Sequence, residues 1–242
     1  MLNNPTCDQL RELRLAGMLA AYEAQLKDGA CDGLSFEERL GLLVDREYNE
    51  RQNRRLKTRL REARLRLDAA VEDIDYRHPR GLDKRLLLSL ADGQWIRQHQ
   101  NLIITGPTGA GKTYLACALA NQACRQGLTV QYHRAPRLFG DLALARGDGR
   151  YPKLIARLAK TDLLILDDWA TALLTDEQRR DLFEIAEDRY QRRATLITAQ
   201  LPVKHWHETI GDPTLADAIL DRLIHNAHTI NLKGESMRKK KA

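Results

Sequence analysis

The sequence predicts an α/β fold, in which a five-stranded parallel sheet flanked by helices follows a small all-helical N-terminal domain. The first observation is that short apolar runs alternate with segments of helical length from residue 101 onward, which predicts a parallel sheet covered on both faces. The second is that apolar residues recur at helical spacing over residues 6–67. We therefore expect a basic helical domain at 1–75, a linker with a leading helix at 76–100, and an α/β domain at 101–242.

The predicted strands are the runs NLIIT, LTVQYHR, TDLLILD, ATLITAQ and HTINLK. Ligands of such sheets bind at the carboxyl ends of the strands. The residues that directly follow these runs are therefore the first candidates for a functional site.

The N-terminal part is predicted to be helical from the spacing of Leu10, Leu13, Leu15, Met18, Leu19 and Tyr22. The segment DGACDGLS interrupts this pattern, and Ser35 followed by Glu38 predicts a capping box at the start of the next helix. The stretch YRHPRGLDK contains Pro79 and Gly81, which indicate the connection to the α/β domain.

The composition is that of a soluble protein of 242 residues, with 43% hydrophobic and 30% charged residues. No apolar stretch approaches the length of a bilayer span, and the chain does not open on a signal-peptide pattern. The cysteines form no C-x-x-C pair, so neither a zinc ribbon nor a disulfide framework is indicated. We expect a cytoplasmic, reduced protein that does not bind a membrane.

A glycine-rich motif, GPTGAGKT, follows the first predicted strand and precedes a helical segment. This is the context that the phosphate-binding motif G-x-x-x-x-G-K-[ST] requires, because backbone amides and the helix N-terminus then point at the phosphates. We expect Lys112 to reach the β- and γ-phosphates of ATP and Thr113 to bind Mg²⁺. A glycine-rich turn with an incidental lysine is the structural alternative. The predicted nucleotide-binding residues are Gly106, Pro107, Thr108, Gly109, Ala110, Gly111, Lys112 and Thr113.

Two aspartates stand side by side in LLILDDWA, where a run of apolar residues ends. Burying a carboxylate is costly unless a cation or hydrogen-bond donors meet it. Asp167 is placed to hold the hydrated magnesium, and Asp168 to orient and deprotonate the attacking water. Alternatively, the pair caps the next helix.

Two later segments contain polar residues that could complete the site. In ATLITAQ, either Thr198 or Gln200 would meet the γ-phosphate if this strand lies between the first and third strands; otherwise they are turn residues. In DPTLADAILDRL, Arg222 lies on a helix that is otherwise apolar, as a solvated residue or as a finger that completes a neighbouring subunit's active site.

Basic residues are concentrated in two segments, although the net charge is only +6. Residues 51–66 contain eight of them against Glu62 alone: Arg51, Arg54, Arg55, Lys57, Arg59, Arg61, Arg64 and Arg66. A second group lies between the second and third strands: Arg134, Arg137, Arg146, Arg150 and Lys153. Either group could follow DNA phosphates without sequence preference. The first could instead be a solvated helix or a protein-docking face.

Taken together, the order and spacing of these blocks resemble the IstB-type transposition helper ATPases, which are AAA+ proteins related to the DnaC-type helicase loaders. The likeness includes the arginine-rich N-terminal part, GPTGAGKT, LLILDDWA, the stretch LITAQLPVKHWHETIGDPTLADAILDRLIHNAH and the ending LKGESMRKK. The resemblance implies an AAA+ fold, and because little sequence follows HTINLK, we expect its C-terminal lid to be reduced or absent.

The resemblance also implies a function: an Mg²⁺-dependent ATPase that forms a homo-oligomer on duplex DNA and assists its cognate transposase in target selection. It implies that Arg222 is the trans-acting arginine finger and that Arg238 is the second sensor. A DnaC-type helicase loader is the alternative with the same ATPase. A P-loop nucleotide kinase is the alternative from another class, disfavoured because no lid over a small acceptor is recognisable.

Overall fold

The computed structural model describes residues 5–27, 31 and 33–237. The chain divides into two compact units, residues 1–58 and 59–242. The predicted domain boundaries at 75 and 100 stay predictions. Most of the DGACDG part of the predicted break, together with Arg238 and the rest of the basic tail, lies outside the described residues. None of the described helices is long and apolar enough to cross a bilayer.

The first unit is built from helices α1 (Pro5–Glu12), α2 (Ala16–Lys27) and most of α3 (Phe36–Ala63). The predicted capping box is confirmed: the Ser35 amide donates to Glu38 at 2.8 Å, and the Glu38 amide donates to the Ser35 hydroxyl at 3.3 Å. The buried Glu47 carboxylate of α3 accepts the amides of Gly17 and Met18 at 2.8 and 3.1 Å. These bonds satisfy free donors of the first turn of α2 and fix it against α3.

The second unit contains a parallel sheet whose five strands, in the described residues, have the order β2-β3-β4-β1-β5. The strands are β1 (Asn101–Thr105), β2 (Val130–Arg134), β3 (Leu163–Trp169), β4 (Ala194–Ala199) and β5 (Ala227–Asn231). Strand β4 lies between β1 and β3, so the end of β4 adjoins both the glycine-rich loop and the aspartate pair. The predicted fold class is confirmed.

Helices cover both faces of this sheet, as the alternation of elements predicts. They are α4 (Lys84–Ala91), α5 (Gln94–Arg97), α6 (Lys112–Arg125), α7 (Ala135–Gly147), α8 (Tyr151–Lys160), α9 (Asp176–Arg189), α10 (Trp206–Ile210) and α11 (Pro213–Ile224). No α-helix follows β5 in the part of the chain described, which ends at Met237. The expected reduction of the C-terminal lid stays a prediction.

Two of the cysteines, both on α6, lie in the hydrophobic core of the second unit. Cys117 and Cys124 are fully buried and unbonded to each other. Burial raises the pKa of the Cys124 thiol to about 11, so this thiol stays protonated at neutral pH. Both residues therefore act as small apolar side chains in α6.

Candidate nucleotide-binding site

The glycine-rich loop runs from the end of β1 to the start of α6, as predicted. Gly109 and Gly111 have φ angles of 85° and 95°, in the left-handed region that favours glycine. A Cβ atom at Gly109 would collide with Ser236, and one at Gly111 with the Arg80 guanidinium. Both backbone conformation and close packing therefore require glycine at these two positions.

The Lys112 side chain folds back onto this loop. Its Nζ atom donates to the carbonyl oxygens of Gly106 at 2.7 Å and Pro107 at 2.9 Å, and only 8% of the residue is exposed. The ammonium group is thus held on the loop whose amides would receive phosphates. The predicted contact of Lys112 with the β- and γ-phosphates stays a prediction.

Asp167 is completely buried and accepts hydrogen bonds from three hydroxyl groups. Thr113 donates to it at 3.0 Å, and Thr198 and Tyr132 donate to it through short contacts. Burial, followed by the hydrogen bond to Asp167, raises the pKa of Tyr132, which keeps this phenol a donor. Three donors from three different elements thus offset the burial of this carboxylate.

The Thr113 hydroxyl passes a simple test of fitness for Mg²⁺. Its single hydrogen is directed to Asp167, so the oxygen lone pairs stay available as a hard oxygen ligand for a cation. Because Asp167 is buried, its carboxylate would act on the cation through Thr113 and metal-bound water. The donor set therefore fits the hydrated magnesium that accompanies ATP.

Asp168 lies at an irregularity of the sheet. The register between β3 and β4 shifts between Leu166 and Trp169, and Asp168 has a φ of 58°, a strained angle for a residue with a side chain. Its carboxylate is 24% exposed and accepts from Arg134 Nε at 2.9 Å. The irregularity turns Asp168 away from the buried position of Asp167, toward the solvent side of the site.

The alternative that the aspartate pair caps the next helix is wrong. Thr175 caps α9: its hydroxyl accepts the Gln178 amide at 3.4 Å, and the Gln178 side chain accepts the Thr175 amide at 3.1 Å. The two aspartates therefore do not cap α9.

Thr198 and Gln200, both candidates for the γ-phosphate, occupy different positions. Thr198 is fully buried, and its hydroxyl is directed to Asp167. Gln200 is exposed at the end of β4, where its Oε1 atom accepts from the Thr108 hydroxyl at 2.9 Å. Gln200 is thus the one of the two that reaches the phosphate-binding loop, whereas Thr198 positions Asp167.

Arg222 makes contacts within its own unit. On the last turn of α11, its guanidinium pairs with Glu187, donates to the Ala218 carbonyl at 2.8 Å, and lies 5.1 Å from the Phe183 ring centroid. Its side chain is 23% exposed. An action on a neighbouring subunit would require release from Glu187, and the finger role stays a prediction.

Arg80 is a residue of the site that the sequence analysis missed. Its nearly buried guanidinium donates to the Ala110 carbonyl at 3.0 Å and to the Asp75 carbonyl at 3.0 Å, and burial lowers its pKa. The Met237 amide also donates to the Gly109 carbonyl, at 3.0 Å. The loop is therefore held by segments distant in sequence, whereas Pro79 and Gly81 indicated only a domain boundary here.

The second unit also contains a basic groove of about 1100 Å³. Its acidic lining residues are Glu62 and Asp141. Its basic lining residues come from the end of α3 and the residue after it, from α7, and from α8 and its N-terminal flank: Arg59, Arg64, Arg137, Arg150, Lys153, Arg157 and Lys160. His133 also lines it, but burial lowers its pKa to about 4, so it is neutral at neutral pH. The groove thus unites predicted residues from both basic segments and adds Arg157 and Lys160, which the sequence analysis missed.

Other predicted DNA-binding residues lie elsewhere. Arg134 pairs with Asp168, and Arg146 pairs with the buried Asp181 and lies 4.3 Å from the Tyr151 ring centroid. Both therefore have structural partners within the unit. The remaining predicted residues are exposed on α3: Arg51, Arg54, Arg55, Lys57 and Arg61. Of these, Arg51 pairs with Glu47 at 2.6 Å and Arg54 with Glu50 at 3.6 Å.

The strand order, the glycine-rich loop after β1 and the buried aspartate on β3, with β4 between these two strands, define a P-loop ATPase fold of the AAA+ class. The chain belongs to the family of IstB-like ATP binding proteins, whose sequence model matches residues 8–242. The membership predicted from the motifs is confirmed.

Relatives and solved structures agree with this assignment. A protein of Sinorhizobium fredii named as an insertion sequence ATP-binding protein is 55% identical over 99% of this chain and 98% of its own length. A protein of Pseudomonas aeruginosa that is named as an ATP-binding protein of the insertion sequence IS21 is 32% identical over 96% of this chain and 87% of its own length. Among structures, DnaI aligns with a TM-score of 0.60 at 20% identity, over 69% of this chain and 92% of its own. Aquifex aeolicus DnaA bound to AMPPCP aligns with a TM-score of 0.57 at 19% sequence identity, over 74% of this chain and 56% of its own. At these identities, the structures show the fold alone.

Proposed function

We propose that this protein is an Mg²⁺-dependent ATPase that binds duplex DNA, assembles into a homo-oligomer with ATP, and assists the transposase of an insertion sequence in target selection. The observation that carries the proposal is that one residue, Tyr132, belongs to both sites. It lines the basic groove, and its hydroxyl donates to Asp167 in the nucleotide site. A ligand in the groove would therefore lie against a residue that hydrogen-bonds to Asp167.

The residues divide the work of ATP hydrolysis among them. Loop amides and the N-terminus of α6 bind phosphate oxygens, and Lys112 contributes a charge. Mg²⁺ would be held by Thr113 and Asp167, and it neutralises phosphate charge when bound. Asp168, on the solvent side, orients a water molecule and accepts its proton, and Gln200 donates toward the terminal phosphate. Water attack on that phosphate then yields ADP and inorganic phosphate.

The basic groove supports the DNA part of the proposal. Seven cationic side chains line it against two acidic ones, and guanidinium and ammonium groups bind phosphates without reading bases. The exposed basic residues of α3 are further candidates. The names of the relatives associate them with insertion sequences, which favours the transposase as partner over a replicative helicase.

Replacing Arg137, Lys153 and Arg157 together with Ala should weaken binding to unrelated duplex sequences alike. If each contacts one phosphate, the log–log dependence of affinity on salt should become shallower by about 2.7, at roughly 0.9 per phosphate. Fluorescence anisotropy at several salt concentrations measures both quantities in the presence of ATP.

Two variants make this test specific. A triple Ala variant of Arg85, Arg180 and Lys204, all exposed and outside the groove, should bind DNA as the wild type does. A triple Ala variant of Arg54, Arg55 and Arg61 tests the α3 candidates outside the groove. An unchanged salt dependence in the groove variant would remove the groove from the DNA site. Phosphate release that DNA does not stimulate, with a small acceptor phosphorylated instead, would favour the kinase alternative.

The oligomer part of the proposal rests on Arg222. As a finger acting across an interface, Arg222→Ala should keep nucleotide affinity but hydrolyse ATP at least about tenfold more slowly, because the arginine stabilises charge only in the transition state. Mixing it with Lys112→Ala should restore part of the activity, since some interfaces then combine an intact Arg222 with an intact loop. Failure of every mixing ratio, with Arg180→Ala as the surface control, would leave Arg222 as a partner of Glu187 only.

A further inference from the structure

Arg66 lies at the aspartate pair, although it belongs to the basic segment 51–66 and comes just after the end of α3. Its Nη1 atom is 3.6 Å from an oxygen of Asp167 and 3.5 Å from an oxygen of Asp168, and its side chain is 41% exposed. Arg134, in contrast, pairs with Asp168 alone, at 2.9 Å. Arg66 is thus the cation that faces both carboxylates among the ion pairs of the described residues.

The geometry of Arg66 is that of a replaceable counter-ion. Both distances exceed a good charge-assisted hydrogen bond, so the attraction is mainly Coulombic and leaves the hydroxyl bonds to Asp167 unchanged. Contact with Tyr132 raises the pKa of Arg66, so the guanidinium stays charged. A divalent cation bound at Thr113 would meet the same two carboxylates with a larger charge.

We propose that Arg66 is a built-in counter-ion of Asp167 and Asp168, which Mg²⁺ displaces when it binds with nucleotide. Arg66 is thereby a positioning residue: in the absence of the metal it balances one of the two negative charges, and it lowers the affinity of the site for the metal. This inference rests on the proposed use of Mg²⁺ and ATP. It adds that the segment directly after α3 changes its contacts when the metal binds.

The first test titrates Mg²⁺ into protein and a fluorescent ATP analogue, at a fixed concentration of both. Arg66→Gln should lower the half-saturating Mg²⁺ concentration by about twofold to fivefold, the range for a partly exposed charge pair. Arg66→Lys should lie between this variant and the wild type. Arg85→Gln, an exposed arginine on α4, is the matched control. An unchanged half-saturating Mg²⁺ concentration in Arg66→Gln would overturn the proposal. A higher concentration would also overturn it, because it would indicate that Arg66 contacts a phosphate.

The second test uses the unmodified protein, so it does not depend on a variant that folds. Phenylglyoxal modification of Arg66, followed by mass spectrometry, should be several-fold faster with nucleotide and Mg²⁺ than with nucleotide and a chelator. Equal or slower modification with the metal would overturn the proposal. If the wild type binds nucleotide with Mg²⁺ but both tests show no effect, only the role of Arg66 fails. If the wild type binds no nucleotide, the proposed function itself fails.

Discussion

Lys112→Ala should reduce nucleotide affinity by about tenfold to a hundredfold, because a hydrogen bond to a charged group contributes about 1.5–3 kcal/mol. The Lys112 ammonium is the loop's own cation, held by the Gly106 and Pro107 carbonyls at 2.7 and 2.9 Å. Alanine cannot replace its charge beside the β- and γ-phosphates. Titration with a fluorescent nucleotide measures the affinity, and phosphate release should fall in parallel.

Two controls distinguish this effect from a loss of folding. Lys204→Ala removes an exposed lysine after β4 and should bind nucleotide normally. Lys112→Arg keeps the charge but not the compact shape of the ammonium, so it should bind more weakly than wild type and more tightly than Lys112→Ala. Near-normal affinity and hydrolysis in a folded Lys112→Ala protein would contradict the assignment of the loop.

The sequence was sufficient for those parts of the site that are local. The loop, Lys112 and Thr113 form one continuous motif between a strand and a helix, so their positions follow from chain connectivity. Asp167 was predictable because a carboxylate at the end of an apolar strand must meet polar partners. The parallel sheet was predictable from the alternation of short apolar runs and helical segments.

The parts that the sequence could not predict depend on contacts between distant segments. Tyr132 and Arg66 reach Asp167 from β2 and from the segment after α3, and no local pattern marks either residue as a partner of Asp167. The choice between Thr198 and Gln200 depends on the side-chain directions at the end of β4. The pairing of Arg146 with Asp181 likewise required the packing of α7 against α9. Charge clusters in sequence identified the basic segments but not which members share a groove.

Asp167→Asn and Asp168→Asn should have different effects because the two carboxylates have different surroundings. Asp167 accepts from three hydroxyl groups while fully buried, and an amide offers one acceptor oxygen where the carboxylate has two. Asp167→Asn should therefore weaken Mg²⁺-dependent nucleotide binding and also lower the melting temperature, because a buried donor loses its partner.

Asp168→Asn should instead retain nucleotide while ATP hydrolysis falls by at least about a hundredfold, the effect typical of losing a general base. The amide keeps the shape of the side chain at a φ of 58°, but it cannot accept a proton from water. Mg²⁺ titration with a fluorescent nucleotide measures binding, and single-turnover phosphate release measures the chemical step. Asp217→Asn, at an exposed position on α11, is the control. Because Asp167 and Thr113 are unchanged in this variant, loss of nucleotide binding would mean that the roles of the two aspartates are reversed.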